Sequence, residues 1–250
     1  MIRDLGRRRG RERRGLALAE GVRLVEEALA AGVPIRGAAV SPALEGTTRG
    51  TALKAALVTH HIPLEELSAR GLEELADTEH PQGIVAVIEP RRWSLTDIAT
   101  GPGSVVLVLD AVQDPGNVGT MLRTAFALGA AGVVALKGTA DLANSKVLRG
   151  SMGAAFRLPC VAATEADLLA WAAGHGVAVW ATAAGAEPLR RRMMPPSAVA
   201  LVVGNEGAGV STGIATAAAR HVAIPLRAGA ESLNVAIAAG ILLYEALRDD

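Results

Sequence analysis

The sequence has few of the residues that form disulfides, bind metals or cross membranes in other classes of protein. It has one cysteine, Cys160, which cannot form an internal disulfide, and this favours a reducing cytosol. Its five histidines are scattered without the spacing of metal ligands, so no metal is expected. No apolar run approaches the roughly 18 residues that cross a bilayer, and the start lacks the apolar core of a signal peptide. We therefore expect a cytoplasmic protein without a membrane segment.

Aromatic residues and net charge are also low. Only three Trp, two Phe and one Tyr occur in 250 residues, too few for a platform on which single-stranded bases stack. Lys and Arg together number 25, as do Asp and Glu, so no overall field attracts nucleic acid. Residues 1–23 are the exception, because they hold eight arginines against three acidic residues. This basic arm could follow phosphates in a salt-dependent way, or it could be a solvated, frayed terminus.

The apolar pattern divides the chain into two domains. In residues 1–92 a helical repeat at 19–31 alternates with short strand-like runs at 35–40, 57–58 and 83–88. Residues 93–103 contain Pro102, two glycines and little periodicity, which indicates a linker. Residues 104–250 then form a second and larger domain.

The second domain has the alternation of an α/β fold. Apolar, often β-branched runs predict strands at 105–109, 132–136, 177–182, 198–203 and 221–224. Helical patterns lie at 119–128, 166–173 and 233–247. Such alternation requires crossover connections and a mainly parallel sheet covered on both faces. The last helix is apolar nearly all round, so it must be buried on more than one side, as in a dimer.

Three stretches of this domain belong together: DPGNVGTMLR at 114–123, LVVGNEG at 201–207, and IPL at 224–226 leading into SLNV at 232–235. Each places small or polar residues after a strand-like run and before a helix-like one, where backbone N–H groups can face a ligand. In order and wording they resemble the signature motifs of the SpoU/TrmH family of S-adenosylmethionine-dependent RNA 2′-O-methyltransferases, in the SPOUT superfamily. EGVRLVEEAL at 20–29 and HPQGIVAV at 80–87 resemble the substrate-binding domain, similar to ribosomal protein L30, that precedes many SpoU catalytic domains.

The resemblance implies an α/β fold with a trefoil knot in the C-terminal segment, a homodimer formed through the knotted domains, and structured RNA as substrate, with rRNA favoured. It implies S-adenosylmethionine as methyl donor, held by Gly204, Ile224, Leu226, Ser232, Leu233 and Asn234. The implied catalytic residues are Arg123, Asn117 and Glu206. With RNA as the substrate, we assign its contacts to Arg8, Arg9, Arg13 and Arg14 of the arm, and to Lys146 and Arg149 of the family-like segment 144–159. A solvated helix face is the alternative for that last segment.

Residue chemistry gives these positions separate tasks. Arg123 follows Gly119 by four residues on a predicted helix, where its planar fork could hold a phosphate. A role as base would need strong local help, because a guanidinium stays protonated far above neutral pH. Glu206 could pair with Arg123 or take part in proton transfer. Ser232 is expected to cap the last helix, and Asn234 to contact substrate or the knot.

Alternative functions are distinguished by the motifs and residues that each of them requires. A dinucleotide-dependent oxidoreductase is disfavoured, because no Gly-x-Gly-x-x-Gly opens a helix after 105–109. A tRNA 2′-O-methyltransferase and a non-catalytic RNA-binding relative both remain open. Against the non-catalytic relative stands the joint presence of Asn117, Arg123, Glu206 and Asn234.

Overall fold

The computed structural model describes residues 2–78 and 80–248, so Met1, Glu79, Asp249 and Asp250 of the predicted domains lie outside the described residues. The chain forms two compact units. One contains Met1–Arg91 and Ala143–Arg157, and the other contains Arg92–Leu142 and Leu158–Asp250. No helix in the described part of the chain is long and apolar enough to cross a membrane.

The described residues contain ten strands and ten α-helices. The strands are β1 Ala17–Glu20, β2 Ile35–Val40, β3 Leu64–Glu66, β4 Ile84–Ile88, β5 Val105–Leu109, β6 Gly132–Ala135, β7 Cys160–Ala162, β8 Ala178–Pro188, β9 Val199–Val203 and β10 Arg220–Ala223. The helices are α1 Ile2–Leu5, α2 Arg8–Arg14, α3 Val22–Ala30, α4 Thr48–Thr59, α5 Ala69–Glu73, α6 Pro115–Ala127, α7 Ser145–Ser151, α8 Glu165–Gly174, α9 Thr212–Ala217 and α10 Val235–Leu247.

The first unit is built on a four-stranded sheet in the order β1-β4-β2-β3. Strand β4 pairs antiparallel with both β1 and β2, and β3 pairs parallel with β2. Residues 57–58, expected as a strand-like run, lie instead in α4. The reason is local, since the Thr47 side chain caps the helix by accepting from Gly50 N at 3.0 Å, and Leu53 and Leu57 are buried one turn apart.

Residues 143–157 pack with the first unit, a placement that the boundaries predicted from sequence do not include. Leu148 of α7 and Phe156 are buried in the same core as Val25 and Ala28 of α3. The segment also forms an ion pair between Arg157 and Glu27 at 2.7 Å. Burial of these apolar side chains outweighs the distance along the sequence.

The basic arm is folded and is not a frayed terminus. Leu5 is buried in a cluster with Leu18, Val85 and Val87. Arg11 is buried too, and its guanidinium donates to the carbonyls of Leu5 at 2.9 Å and Gly6 at 3.1 Å. An arginine with its charge inside the fold is stable only when its donors are paired in this way.

A carboxylate anchors the outer face of the arm. Asp4 accepts from Arg14 Nε and Arg13 Nη2, each at 2.7 Å. These hydrogen bonds, first from Arg14 and then from Arg13, hold the pKa of Asp4 below its ordinary value. The two arginines are therefore already engaged within α1 and α2.

The second unit is a six-stranded parallel sheet in the order β10-β8-β9-β5-β6-β7. The five predicted strands are all present, and β7 is an additional short edge strand. The last helix begins at Val235 and its N-cap is Asn234, which accepts from Ala236 N and Ile237 N. The prediction of Ser232 as the cap is therefore wrong, because the side-chain oxygen of Asn234 accepts from both of these N–H groups.

Gly10 tests how tightly the arm is packed. A Cβ at this residue would overlap the backbone carbonyl of Asp4. Gly10→Ala should therefore lower the stability by ~1–3 kcal/mol through overpacking, although alanine alone would favour the helix by ~1 kcal/mol. We expect a lower melting temperature and faster tryptic cleavage within residues 7–14.

The control is Gly46→Ala, because nothing lies within 4 Å of a Cβ there. Its melting temperature and cleavage rate should match those of the parent. Equal stability of the Gly10 variant and the parent would contradict the packing of α1 on α2.

Candidate functional site

The three motif loops leave neighbouring strands at one edge of the parallel sheet. Strand β9 lies between β5 and β8, and β10 lies beyond β8. Each loop follows the carboxyl end of its strand: 110–114 after β5, 204–211 after β9, and 224–234 after β10. In open α/β sheets this edge is where ligands bind.

One cavity of about 250 Å³ opens between the loops after β9 and β10. Its lining includes five of the six residues predicted to hold the cofactor, namely Gly204, Ile224, Leu226, Ser232 and Leu233. Asn234 is not part of the lining. The far half of β8 contributes Thr182, Ala183 and Ala184, which sequence reasoning missed because the predicted strand stopped at residue 182.

Gly204 is required by close backbone approach. A Cβ at this residue would overlap the carbonyl group of Gly209 and the backbone nitrogen of Val210. The loop closes on itself through Asn205 N to Gly209 O at 3.0 Å and Gly209 N to Asn205 O at 2.8 Å. No side chain can enter at residue 204 without opening this loop.

Two polar residues that were not predicted hold the same loop in place. Asn205 Nδ2 donates to Ala111 O at 3.0 Å, and its Oδ1 accepts from Gly207 N at 2.9 Å and Ala208 N at 3.0 Å. Asp110 is buried and accepts from Ser211 N at 2.7 Å. The signal in the sequence was the position of each: an Asn beside glycine in a turn, and an Asp directly after a buried strand.

A chain of side-chain hydrogen bonds connects the three motif loops. Asn117 Nδ2 donates to Glu206 Oε1 at 2.6 Å, and Asn234 Nδ2 donates to Asn117 Oδ1 at 3.1 Å. Asn117 is fixed in the first turn of α6, where its N–H donates to the Asp114 cap at 2.7 Å. Asn117 therefore uses both ends of its amide to join Glu206 and Asn234.

Arg123 lies on the exposed face of α6. Across residues 2–78 and 80–248 the Arg123 side chain has no hydrogen bond or ion pair. Glu206 pairs with Asn117, so the expected pair between Glu206 and Arg123 is not formed. The guanidinium of Arg123 is therefore available for a ligand outside the chain.

The six residues predicted to contact RNA all lie in the first unit. Arg8 pairs with Glu12 at 2.7 Å, and Arg13 and Arg14 share Asp4. Arg149 Nη1 lies 3.3 Å from Glu20 Oε2. Arg9 and Lys146 are exposed, and among the residues that the structure describes they have no partner. No group of three or more His, Cys, Asp or Glu side chains that could hold a metal occurs in that part of the chain.

A parallel α/β unit with a cavity at the carboxyl ends of its strands is the arrangement of an enzyme that binds a nucleotide-like cofactor, as the motifs indicate. The SpoU rRNA Methylase family matches residues 104–244, more than half of the chain. The chain therefore belongs to the SpoU rRNA methylase family. Residues 1–86 match a second family, the MRM3-like substrate binding domain.

Relatives and solved structures agree with this assignment. The 23S rRNA (guanosine(2553)-2′-O)-methyltransferase RlmP of Bacillus subtilis is 40% identical over 178 residues, 71% of this chain and 70% of that protein. An S-adenosylmethionine-bound rRNA methyltransferase from Sinorhizobium meliloti is 33% identical, with a TM-score of 0.85 over 98% of this chain and 92% of its own. The SpoU methyltransferase AviRb from Streptomyces viridochromogenes, also with its cofactor S-adenosylmethionine, is 30% identical, with a TM-score of 0.85 over 98% and 94%.

Gly204→Ala tests the cavity. The added methyl group would force the loop open, so we expect S-adenosylmethionine affinity to fall by ~10²-fold or more, as a loss of several contacts would cause. Isothermal titration calorimetry with the folded variant measures it.

The matched control lies in the same loop. A Cβ at Gly207 would meet only Asn205 Oδ1, at an ordinary 3.6 Å, so Gly207→Ala should bind the donor as the parent does. Equal affinity of the Gly204 variant and the parent would place the donor elsewhere.

Proposed function

We propose that the protein transfers the methyl group of S-adenosylmethionine to a ribose 2′-hydroxyl in structured rRNA. The observation that carries the proposal is a cavity lined by the second and third motif loops, whose lining residue Glu206 is hydrogen-bonded through Asn117 of the first motif to Asn234. RlmP is named for this reaction on 23S rRNA. The S. meliloti and AviRb structures contain the same donor.

The cavity fits the donor by the nature of its walls. Leu226 and Leu233 present apolar surface, and the backbone groups at Gly204, Ile224 and Leu233 can serve polar edges of a nucleoside. Asn234 belongs to the donor site through its contact with Asn117. When bound, S-adenosylmethionine supplies an activated sulfonium methyl group, so the protein needs to add only alignment and a path for the hydroxyl proton.

The remaining side chains divide this work. Glu206 is the acceptor at the end of the amide chain, so it can take a hydrogen bond or a proton from the direction of the substrate while Asn117 holds it in place. Arg123, which has no partner in the described residues, orients the acceptor phosphate or ribose through its planar fork. Stabilising charge in this way does not require the guanidinium to lose its proton.

RNA docking is assigned to the first unit. Residues 1–86 match a substrate-binding domain, and Arg8, Arg9, Arg13, Arg14, Lys146 and Arg149 all lie within that unit. Its L30-like character is part of the proposal, supported by the small four-stranded sheet. We favour rRNA over tRNA because RlmP and the S. meliloti structure are named for rRNA, but a relative from Synechocystis that matches 99% of this chain is named a tRNA/rRNA methyltransferase, so tRNA stays the alternative substrate.

Assembly as a homodimer through the second unit is also proposed. Ile237, Ile241 and Tyr244 are 57%, 43% and 55% exposed along one face of α10, and Phe126 of the adjacent α6 is 44% exposed. Four large apolar side chains on two packed helices are typical of a surface that a second copy covers. A trefoil knot in the C-terminal segment, with its loops at Gly204, at 224–226 and at 232–234, is also proposed, supported by membership of the SpoU family. A cytoplasmic location is proposed because RlmP is named for a reaction on 23S rRNA.

Arg123→Ala should lower the turnover of an unmodified 23S rRNA transcript by ~10²-fold or more, the usual scale for a charge-stabilising or proton-transfer group. Donor affinity by calorimetry should stay unchanged, since Arg123 does not line the cavity. Arg123→Lys should recover little of the loss, because lysine lacks the fork.

The control is Arg220→Ala, which removes an arginine of the same unit that pairs with Glu187. Its turnover should match that of the parent. Near-parental turnover of the Arg123→Ala variant would contradict the assignment of Arg123 as a catalytic residue.

Ile237→Asp should convert the proposed dimer to monomers, because a charge buried in an apolar interface has no partner. Sedimentation at micromolar concentration measures the mass. Val58→Asp is the matched control, since Val58 of α4 is also 57% exposed but lies in the first unit. Identical masses for the two variants would argue against α10 as the interface.

A further inference from the structure

A buried carboxylate organises one corner of the first unit. Glu20, at the end of β1, is only 4% exposed. It accepts from Asp77 N at 2.9 Å, from Thr78 N at 3.2 Å and from the Thr78 hydroxyl. Arg149 Nη1 of α7 donates to the same carboxylate at 3.3 Å. Glu20 therefore fixes the backbone at Asp77 and Thr78 and the guanidinium of Arg149.

A cavity of about 260 Å³ lies at this corner. That volume is far above the roughly 10–15 Å³ that one water molecule needs. Three parts of the unit line it: the turn from β1 into α3, the loop before β4, and the end of α7. The lining residues are Glu20, Gly21, Arg23, Leu24, Thr78, His80, Gln82, Arg149 and Met152.

Two arginines, Arg23 and Arg149, line the cavity, and their guanidinium groups can donate hydrogen bonds to a ligand. Arg23 is exposed, and within the described residues it has no hydrogen bond or ion pair. Gln82 Oε1 accepts from Val22 N at 3.0 Å, which fixes the orientation of the Gln82 amide group. Among the described lining residues Glu20 pairs with Arg149, and Arg23 adds a second guanidinium group, the kind of donor that binds phosphate.

The floor includes a residue in a strained conformation. Met152 has φ 52 and ψ 39 and is followed by Gly153 at φ 88. Methionine is uncommon in this left-handed region, where glycine is the default. In this conformation Met152 ends α7 as its C-cap, with its N–H donating to Arg149 O, and its side chain lines the cavity. The thioether of methionine is polarisable and makes favourable contacts with aromatic rings.

We propose that this cavity holds one unstacked nucleotide of the substrate RNA, with its phosphate at Arg23 and Arg149 and its base against Met152. The inference rests on the proposed function, because it takes RNA as the substrate. Proteins recognise structured RNA mainly at loops and bulges, where bases are splayed out and stack on side chains that include arginine. The scarcity of aromatic residues therefore does not prevent base recognition here, because Met152 and the guanidinium groups offer the flat or polarisable surfaces.

The first test removes the unpaired arginine from the full-length protein. Affinity for an unmodified 23S rRNA transcript is measured at several salt concentrations for the parent and for Arg23→Ala. We expect about tenfold weaker binding, and a slope of log affinity against log salt that is smaller by about one, the effect of one lost phosphate contact. Because Arg23 has no partner among residues 2–78 and 80–248, the variant should fold as the parent does.

Arg36→Ala is the matched control, an exposed arginine of the same unit that pairs with Glu89 and does not line the cavity. Its affinity and slope should equal those of the parent. Parental binding by the Arg23 variant would overturn the proposal. So would an equal loss in the Arg36 variant, which would indicate diffuse attraction to the whole unit.

The second test separates the base contact from the strain. Met152→Ala and Met152→Gly both remove the thioether, and both should weaken RNA binding severalfold without changing the salt slope. Met152→Gly should melt at a higher temperature than Met152→Ala, because glycine adopts the left-handed conformation without strain. Parental RNA affinity in both variants would overturn the base contact.

Two further outcomes are distinguishable from these. Competition by AMP at micromolar concentration would mark the cavity as a site for a free nucleotide and overturn its assignment to RNA. A parent protein that neither binds nor methylates the transcript would overturn the proposed function and this inference together. A parent that methylates the transcript, with Arg23 and Met152 variants that do so equally well, would overturn the cavity alone.

Discussion

The site depends on the absence of a side chain at residue 204. Because Gly204 lets the backbone of Gly209 and Val210 lie against it, the loop after β9 can close on itself. Closure sets the direction in which Glu206 leaves the loop, and Asn205 ties the same loop to the end of β5 through Ala111 O. Close packing of main chain thus places a carboxylate that would otherwise move with an exposed glycine-rich turn.

Apolar packing between two helices completes the arrangement. Asn117 lies in the first turn of α6 and Asn234 caps α10, and these helices pack against each other. A Cβ at Gly240 of α10 would lie only 3.5 Å from Thr124 Cγ2 of α6, so the helices approach closely. The amide-to-amide hydrogen bond across their starts is therefore set by the helix contact. Loss of packing along α6 and α10 would disturb the polar site from a distance.

Much of this could be predicted from sequence, and the failures have physical causes. The parallel sheet and its strands followed from β-branched runs, and Gly204, Ile224, Leu226, Ser232 and Leu233 share a cavity as expected. The cap at Ser232 was wrong because Ser and Asn are both good caps, and only the backbone decides between positions 232 and 234. The folding of the arm was missed because the burial of Leu5 depends on Val85 and Val87, far along the chain, and Arg11 pairs with carbonyls that only the folded arm presents. The site residues themselves stay predictions until their variants are measured.

The placement of residues 143–157 also affects how the protein could be divided. Leu148 and Phe156 complete the core of the first unit, yet they lie between β6 and β7 of the second unit in the sequence. The first unit is therefore not a contiguous segment, and a fragment ending near residue 91 would expose the apolar surface that these two side chains cover. Neither unit can be excised by a single cut. Because β5 and β6 of the second unit precede residues 143–157 in the sequence, the first unit cannot finish folding until these two strands have been synthesised.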